Sequence, residues 1–378
     1  MANLKVNTVS GIGTEGTVFD GGLKFRSKNY LTLPKGTTTE RTATSSGIST
    51  ETGSIRYNTD SNKMECYIGD KWMIVSTSQA LEGVGGRGVS CGGASPGGSP
   101  YARVNTMEYI TIATAGNSID FGDLTSICGA PGCCASTTRG LIGGGNNPVN
   151  DRIEVITIAS AGNSTDTGNL TQARTSMASF SNQVRGIWAG GSTPTQVNTI
   201  DFVSISSNGD ASDFGDIISH TIDYIGGGAN PTRGYVAGGN TPSKINNIQF
   251  ITIMSTGNAL DFGDLTVARR MAESATNTTR GVIIGGETPS DTNVIDFITI
   301  ATTGDAQDFG DLDILRRELN AVFQAPTRAA FGGGYASPTG VKSISQLNII
   351  EKSNAFDFGD LLATVYSNRG LSNSHGGL

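Results

Sequence analysis

Apolar residues in this chain gather in short runs of strand length, and no 3.6-residue stripe persists long enough to mark a helix. Val, Ile, Thr and Gly dominate the runs, and Gly, Asn, Pro and Asp punctuate them, as in strands joined by tight connections. In the run NVIDFITI, Ile295, Phe297, Ile298 and Ile300 put apolar groups on both faces, and Ile248, Phe250, Ile251 and Ile253 repeat the arrangement. A half-buried strand alternates, so this pattern predicts strands covered on both sides.

The same succession of runs returns six times. The hexapeptide DFGDLT at Asp261 has counterparts at Asp120 (DFGDLT), Asp166 (DTGNLT), Asp213 (DFGDII), Asp308 (DFGDLD) and Asp357 (DFGDLL), at successive intervals of 46, 47, 48, 47 and 49 residues. An Arg-Gly pair opens the frame at Arg87, Arg139, Arg185, Arg233, Arg280 and, out of step, Arg369, while Arg328 is followed by Ala329. Each repeat holds about four strand-length segments. The fold class expected is therefore all-β, with a six-bladed β-propeller of four-stranded blades over residues 83–378, neighbouring blades burying each other's faces. Closure has two forms, because RGLSNSHGGL begins one frame more than there are DFGD units. Either residues 361–368 return as the missing first strand of the blade begun at Arg87, or the final segment itself pairs with that blade or with a partner chain.

Residues 1–82 lie outside the repeat. LKVNTVS alternates from Leu4, GLKFR and NYLTL follow, and residues 35–52 carry ten hydroxyl side chains in 18 positions, which reads as an extended connector. Next, GSIRYNTDSNKMECYIGDKWMIV (53–75) supplies three strand-like runs, with Gly69-Asp70 as a tight hairpin. A lone three-stranded meander has a face to cover. The expectation is an attachment or oligomerisation region packed on the first strands, on another chain or on a symmetry mate.

Composition narrows the function classes. Net charge is −7 with pI near 4.9, and no Lys/Arg run exceeds two, which argues against a sequence-independent grip on nucleic acid. MANLKVNTVS lacks the apolar core of a signal peptide, and no apolar stretch approaches membrane-spanning length, so the reading is a soluble protein made in a cytosol, without membrane insertion. Five cysteines (Cys66, Cys91, Cys128, Cys133, Cys134) are an odd set without paired spacing, read as reduced and buried. His220 and His375 are isolated, so neither a metal nor a cofactor is assigned.

Three sets of residues stand out. Asp120, Asp166, Asp213, Asp261, Asp308 and Asp357 are read as holding structural turns, with the following phenylalanines packed between blades; a calcium role for pairs such as Asp261 and Asp264 is the competing reading. The arginines that begin or precede strands, such as Arg280 and Arg269, are expected to form bidentate pairs with a recurrent aspartate across blades. The connections after the double glycines differ from repeat to repeat and form a variable surface on a rigid frame, the usual seat of recognition. There Tyr101, Asn147, Asn150, Gln196, Lys244, Asp291 and Tyr335 are the candidate ligand contacts; the competing reading is that they only form soluble turns. No catalytic residue is assigned: the prominent acids are repeated, and the unique Glu273, Glu318 and Glu351 sit in no recognisable constellation.

The order Ala-Arg, polar strand, RGVIIGG, loop, NVIDFITI, DFGD resembles a kelch repeat whose tryptophan-bearing end is replaced, and it covers about residues 85–378. SIDFGDLT (118–125) and STDTGNLT (164–171) are similar to the Asp-box of sialidase propellers, where the box is a turn far from the chemistry. The whole chain, through ANLKVNTVSGIGTEGTVFDGGLKFRSKNYLTLPKG, the 53–75 module and the YITIAT…DFGDLT repeats, resembles virion fibre proteins of tailed bacteriophages, especially cyanophages. That resemblance implies a structural, host-facing virion protein assembled in the host cytoplasm. It implies docking on other virion proteins through residues 1–82, homo-oligomerisation, and a head that meets a host-surface glycan or envelope protein. An intracellular kelch-like scaffold and a sialidase-like glycan-processing enzyme are the alternatives.

Overall fold

A computed structural model describes residues 33–41, 52–61, 63–68, 71–74, 86–95, 102–218, 223, 225–319 and 321–378. The chain divides into two compact units, 1–80 and 81–378.

In the first unit, strands Ile55–Asn58, Lys63–Ile68 and Lys71–Ile74 form the expected antiparallel meander. At the start of the 35–52 connector, Lys35–Gly36 adds a parallel fourth strand beside Tyr57 and Asn58 and Thr39–Arg41 forms a 3₁₀ turn. The reason is a buried acid in the next segment: Glu65 is fully buried, accepts a hydrogen bond from Asn58 Nδ2 at 2.9 Å and pairs with Arg41, which draws the connector onto the sheet. Residues 42–51 and the Gly69-Asp70 hairpin lie outside the described residues.

Among the described residues the second unit holds six four-stranded antiparallel sheets, four of them with a two-stranded hairpin between strands two and three. The fifth is representative: Glu273–Thr276, Arg280–Ile284, Val294–Thr299 and Gln307–Asp311 pair in that order, Val282 opposite Phe297 and Ile283 opposite Asp296. The second, third, fourth and sixth sheets span 132–169, 178–216, 226–264 and 321–360. The first combines both ends of the unit, because Arg369–Ser372 is its strand one, beside Arg87–Cys91, Thr106–Thr111 and Ile119–Asp123. Residues 361–368 therefore do not form that strand; they are the connection leading into it.

The runs apolar on both faces are explained by what flanks them. Six hydrophobic clusters are found among the described residues, and each draws on two consecutive sheets. One joins Ile110 and Ile112 of the first sheet to Phe323, Ala330 and Phe358 of the sixth, so the succession is cyclic. Trp188 of the third sheet is fully buried against the second and donates its indole N–H to the Gly132 carbonyl at 3.0 Å.

DFGD does not form a turn. It lies in strand four, with its first aspartate exposed and its phenylalanine buried. A register shift in strand three, as between Ile295 and Asp296, leaves one residue of the motif unpaired. The glycine is needed for two reasons. At Gly263 φ is +145°, and an added Cβ would stand 2.6 Å from the Gly304 backbone of the next sheet. That contact belongs to a clamp: the N–H of Gly304 donates to the Phe262 carbonyl at 2.7 Å, that of Ala306 to the Asp264 carbonyl at 2.8 Å, and the Asp264 N–H to the Asp305 carboxylate at 3.0 Å. The sixth sheet grips the first in the same way, through Gly116 N–H to Phe358, Ser118 N–H to Asp360 and Asp360 N–H to Asn117.

Phe262 is 3% exposed, edge-to-face with Phe250 and clustered with Ile298, Ile300 and Ala306 of the fifth sheet. Phe262→Ala is expected to destabilise the unit by about 3–5 kcal/mol, the cost of deleting a buried ring. An unchanged denaturation curve would contradict that placement.

Candidate functional site

Between strands two and three the chain leaves each sheet through two glycines, both at positive φ, as in Gly238 (+67°) and Gly239 (+112°), then returns through a short hairpin or loop. Each return carries a backbone bridge to the segment that enters the same sheet: Gly129 to Asn146, Thr175 to Ser192, Asp223 to Asn240, Arg270 to Glu287, Arg317 to Tyr335 and Tyr366 to Ala94. Hairpins and entering segments thus share one edge of the sheets.

The candidate contacts separate on this edge. Tyr101 lies outside the described residues. Asn147 is exposed in a left-handed conformation (φ +80°), while Asn150 accepts the Arg152 N–H at 3.2 Å and steadies its own turn. The others tie neighbouring hairpins together. Gln196 Nε2 donates to Asp223 Oδ1 and to the Asn240 carbonyl, each at 3.1 Å. Lys244 pairs with Glu287 at 2.7 Å, and Glu287 also meets Arg270 at 3.2 Å. Arg317 pairs with Asp291, which accepts the Ser337 N–H at 2.9 Å. Tyr335 lies under the Arg317 guanidinium at 4.6 Å and edge-to-face with Tyr366, its hydroxyl donating to the Pro338 carbonyl at 2.8 Å. Burial alone would push the Glu287 carboxyl up, but the Lys244 hydrogen bond and the Arg270 charge hold it below its ordinary value.

The cross-sheet aspartate is not the one in DFGD. It occupies the third position of strand three, where Glu108, Glu154, Asp201, Gln249, Asp296 and Ser345 are all buried. Asp296 accepts the N–H and hydroxyl of Thr266, at 3.2 and 2.7 Å, from the segment arriving from the fourth sheet. It also pairs with Arg269 at 3.1 Å, both side chains fully buried. Asp201 repeats this with Thr171 and with Arg174 at 2.7 Å. Glu108 accepts the Leu362 N–H at 2.7 Å and so joins the sixth sheet to the first. Burial pushes the Glu108 carboxyl up, against the opposing pull of that N–H and of Ser118.

No known family model matches the chain, and no curated protein does. Four arginines of the Arg-Gly frame, Arg87, Arg185, Arg233 and Arg280, have yet another role, stacking on their own sheet's strand-three aromatic and donating to main-chain carbonyls of the next sheet. Arg280 lies 4.8 Å over Phe297 and donates to Ile349 O at 2.9 Å; Arg328 donates to Ile112 O and Ala113 O at 3.0 Å, from the sixth sheet to the first. Asp261 accepts a 3.0 Å hydrogen bond from Asn247. Among the described residues no group of three or more His, Cys, Asp or Glu is placed to hold a metal ion. What the hairpin edge offers chemically is a set of partly exposed amides, ion pairs and tyrosine faces held by their neighbours.

Asp296→Ala would strand a buried guanidinium, so it is expected to cost about 3–5 kcal/mol. Asp261→Ala, on an exposed carboxylate, is expected to stay within about 0.5 kcal/mol. Chemical denaturation of the two variants checks the assignment, and a larger loss for Asp261→Ala would reverse it.

Proposed function

We propose that the six sheets form a six-bladed, kelch-like β-propeller. On this reading the chain is a structural, fibre-like virion protein of a tailed phage, carried on other virion proteins through residues 1–82. The hairpin edge then meets a glycan or envelope protein on the host surface. The observation that carries the reading is the division of labour between segments. Strands and clamps repeat almost unchanged, whereas the hairpins change in sequence from sheet to sheet and are braced laterally by Gln196, Lys244, Glu287 and Asp291. A repeated frame under a varied rim suits recognition through several weak contacts, strengthened when copies act together.

Two measurements test it. Deleting residues 1–82 is expected to leave a folded, soluble 83–378 that no longer enters particles, and normal incorporation would count against docking through that region. Asn147→Gly, which removes the exposed amide but keeps the left-handed backbone, is expected to weaken binding of purified protein to host cells severalfold at unchanged thermal stability. Absence from purified particles, with a cytosolic protein recovered as partner, would favour the scaffold reading.

A further inference from the structure

The first strands of all six sheets line one internal cavity of about 40 Å³, bordered by Cys133, Ser179, Gly227, Ser274, Val322 and Ser372. Arg369, from the closing strand, crosses it, pairing with Glu273 of the fifth sheet and donating to the Pro131 and Met177 carbonyls at 3.1 and 3.0 Å. Beyond that strand, residues 373–378 fold over the cavity's end. Asn373 accepts the Arg87 N–H at 2.8 Å, and Ser374 donates to the Gln324 carbonyl at 2.9 Å. Gly376 packs against the Asn277 backbone and Gly377 against Ser181, with no room for a Cβ at either.

His375 holds this segment in place, and its partners fix its protonation. Nε2 lies 2.9 Å from the Ala135 carbonyl, which can only accept, so Nε2 carries the hydrogen; Ser181 Oγ lies 3.2 Å away. Nδ1 accepts the Gly377 N–H at 3.1 Å, so it carries none. A proton added at Nδ1 would oppose that N–H and put a cation into the cavity that already holds Arg369. The groups around the ring offer little compensation. Those lining the same cavity are Cys133, whose thiol packs against Cys91, Cys134, whose thiol faces the Phe180 and Ile187 carbonyls, the hydroxyls of Ser181 and Ser372, the Gln324 amide, and Glu273, which Arg369 already engages.

We propose that His375 is an acid-operated latch: the neutral ring keeps residues 373–378 seated across the cavity, and protonation releases them and opens the cavity while the sheets stay paired. Burial pushes this imidazole down to about 4, from an ordinary 6.5. A His depressed in the closed state contributes stabilisation that is complete above pH 6.5 and lost as pH falls towards 4. Between pH 7.5 and 5 the closed-to-open ratio should fall roughly thirtyfold.

The test is amide exchange of residues 373–378 in the full chain at pH 7.5 and 5, corrected for intrinsic rates. It is expected to rise about thirtyfold in the wild type. His375→Gln keeps a donor for Ala135 but cannot gain charge, and should lose the pH dependence. Equal corrected exchange at both pH values in the wild type, or an undiminished acid response in His375→Gln, overturns the proposal. Should the variant fail to seat the segment, an imidazole NMR titration decides: a free-peptide midpoint near 6.5 with the segment still protected overturns it, and a strongly depressed midpoint tracking exchange upholds it.

Discussion

The fold of residues 86–378 depends on hydrogen bonding between the outermost strand of one sheet and the loop of the next. A four-stranded sheet ends in a row of unpaired main-chain groups, and such an edge invites pairing with any other chain. Here the edge is occupied, because the Phe and final Asp of DFGD offer carbonyls to two N–H groups of the following sheet, and the final Asp N–H takes a side-chain oxygen from the same loop. The bulge at the glycine turns the strand towards its neighbour, and the absence of a Cβ lets two backbones approach. Hydrophobic burial between sheets supplies most of the stabilisation and is non-directional. The clamp sets the register in which that burial occurs.

A second set of contacts lies just beyond the end of strand four. There the chain must cross to the next sheet, and the buried strand-three acid receives it. Asp201 and Asp296 each satisfy a threonine N–H and hydroxyl and a fully buried arginine. A buried ion pair is weak grounds for net stability, because desolvation opposes the attraction. Its stronger effect is orientation, since a slip of one residue in strand three would leave two charges without partners.

Much of this was legible in the sequence and some was not. The period, the four segments per repeat and the strands apolar on both sides follow from residue pattern, because burial writes itself into apolar positions. The role of DFGD was not legible. Asp, Gly and Asp in succession satisfy the chemistry of a turn as well as that of a bulged strand, and only the partner loop, about forty residues later, distinguishes them. The strand-three acid left a usable signal, a lone carboxylate inside NVIDFITI, which an apolar run does not tolerate without a buried partner. On the hairpin edge, Gln196, Lys244 and Asp291 look like ligand contacts in sequence because their partners come from neighbouring repeats, which no local pattern reveals.

Placing Arg369–Ser372 beside Arg87–Cys91 has a bearing on biosynthesis. Until residues 369–372 have been synthesised, the first sheet lacks a strand, and its open flank and the sixth sheet's uncovered side both wait for them. A polypeptide truncated before residue 369 would accordingly carry two adhesive surfaces in place of one sealed seam.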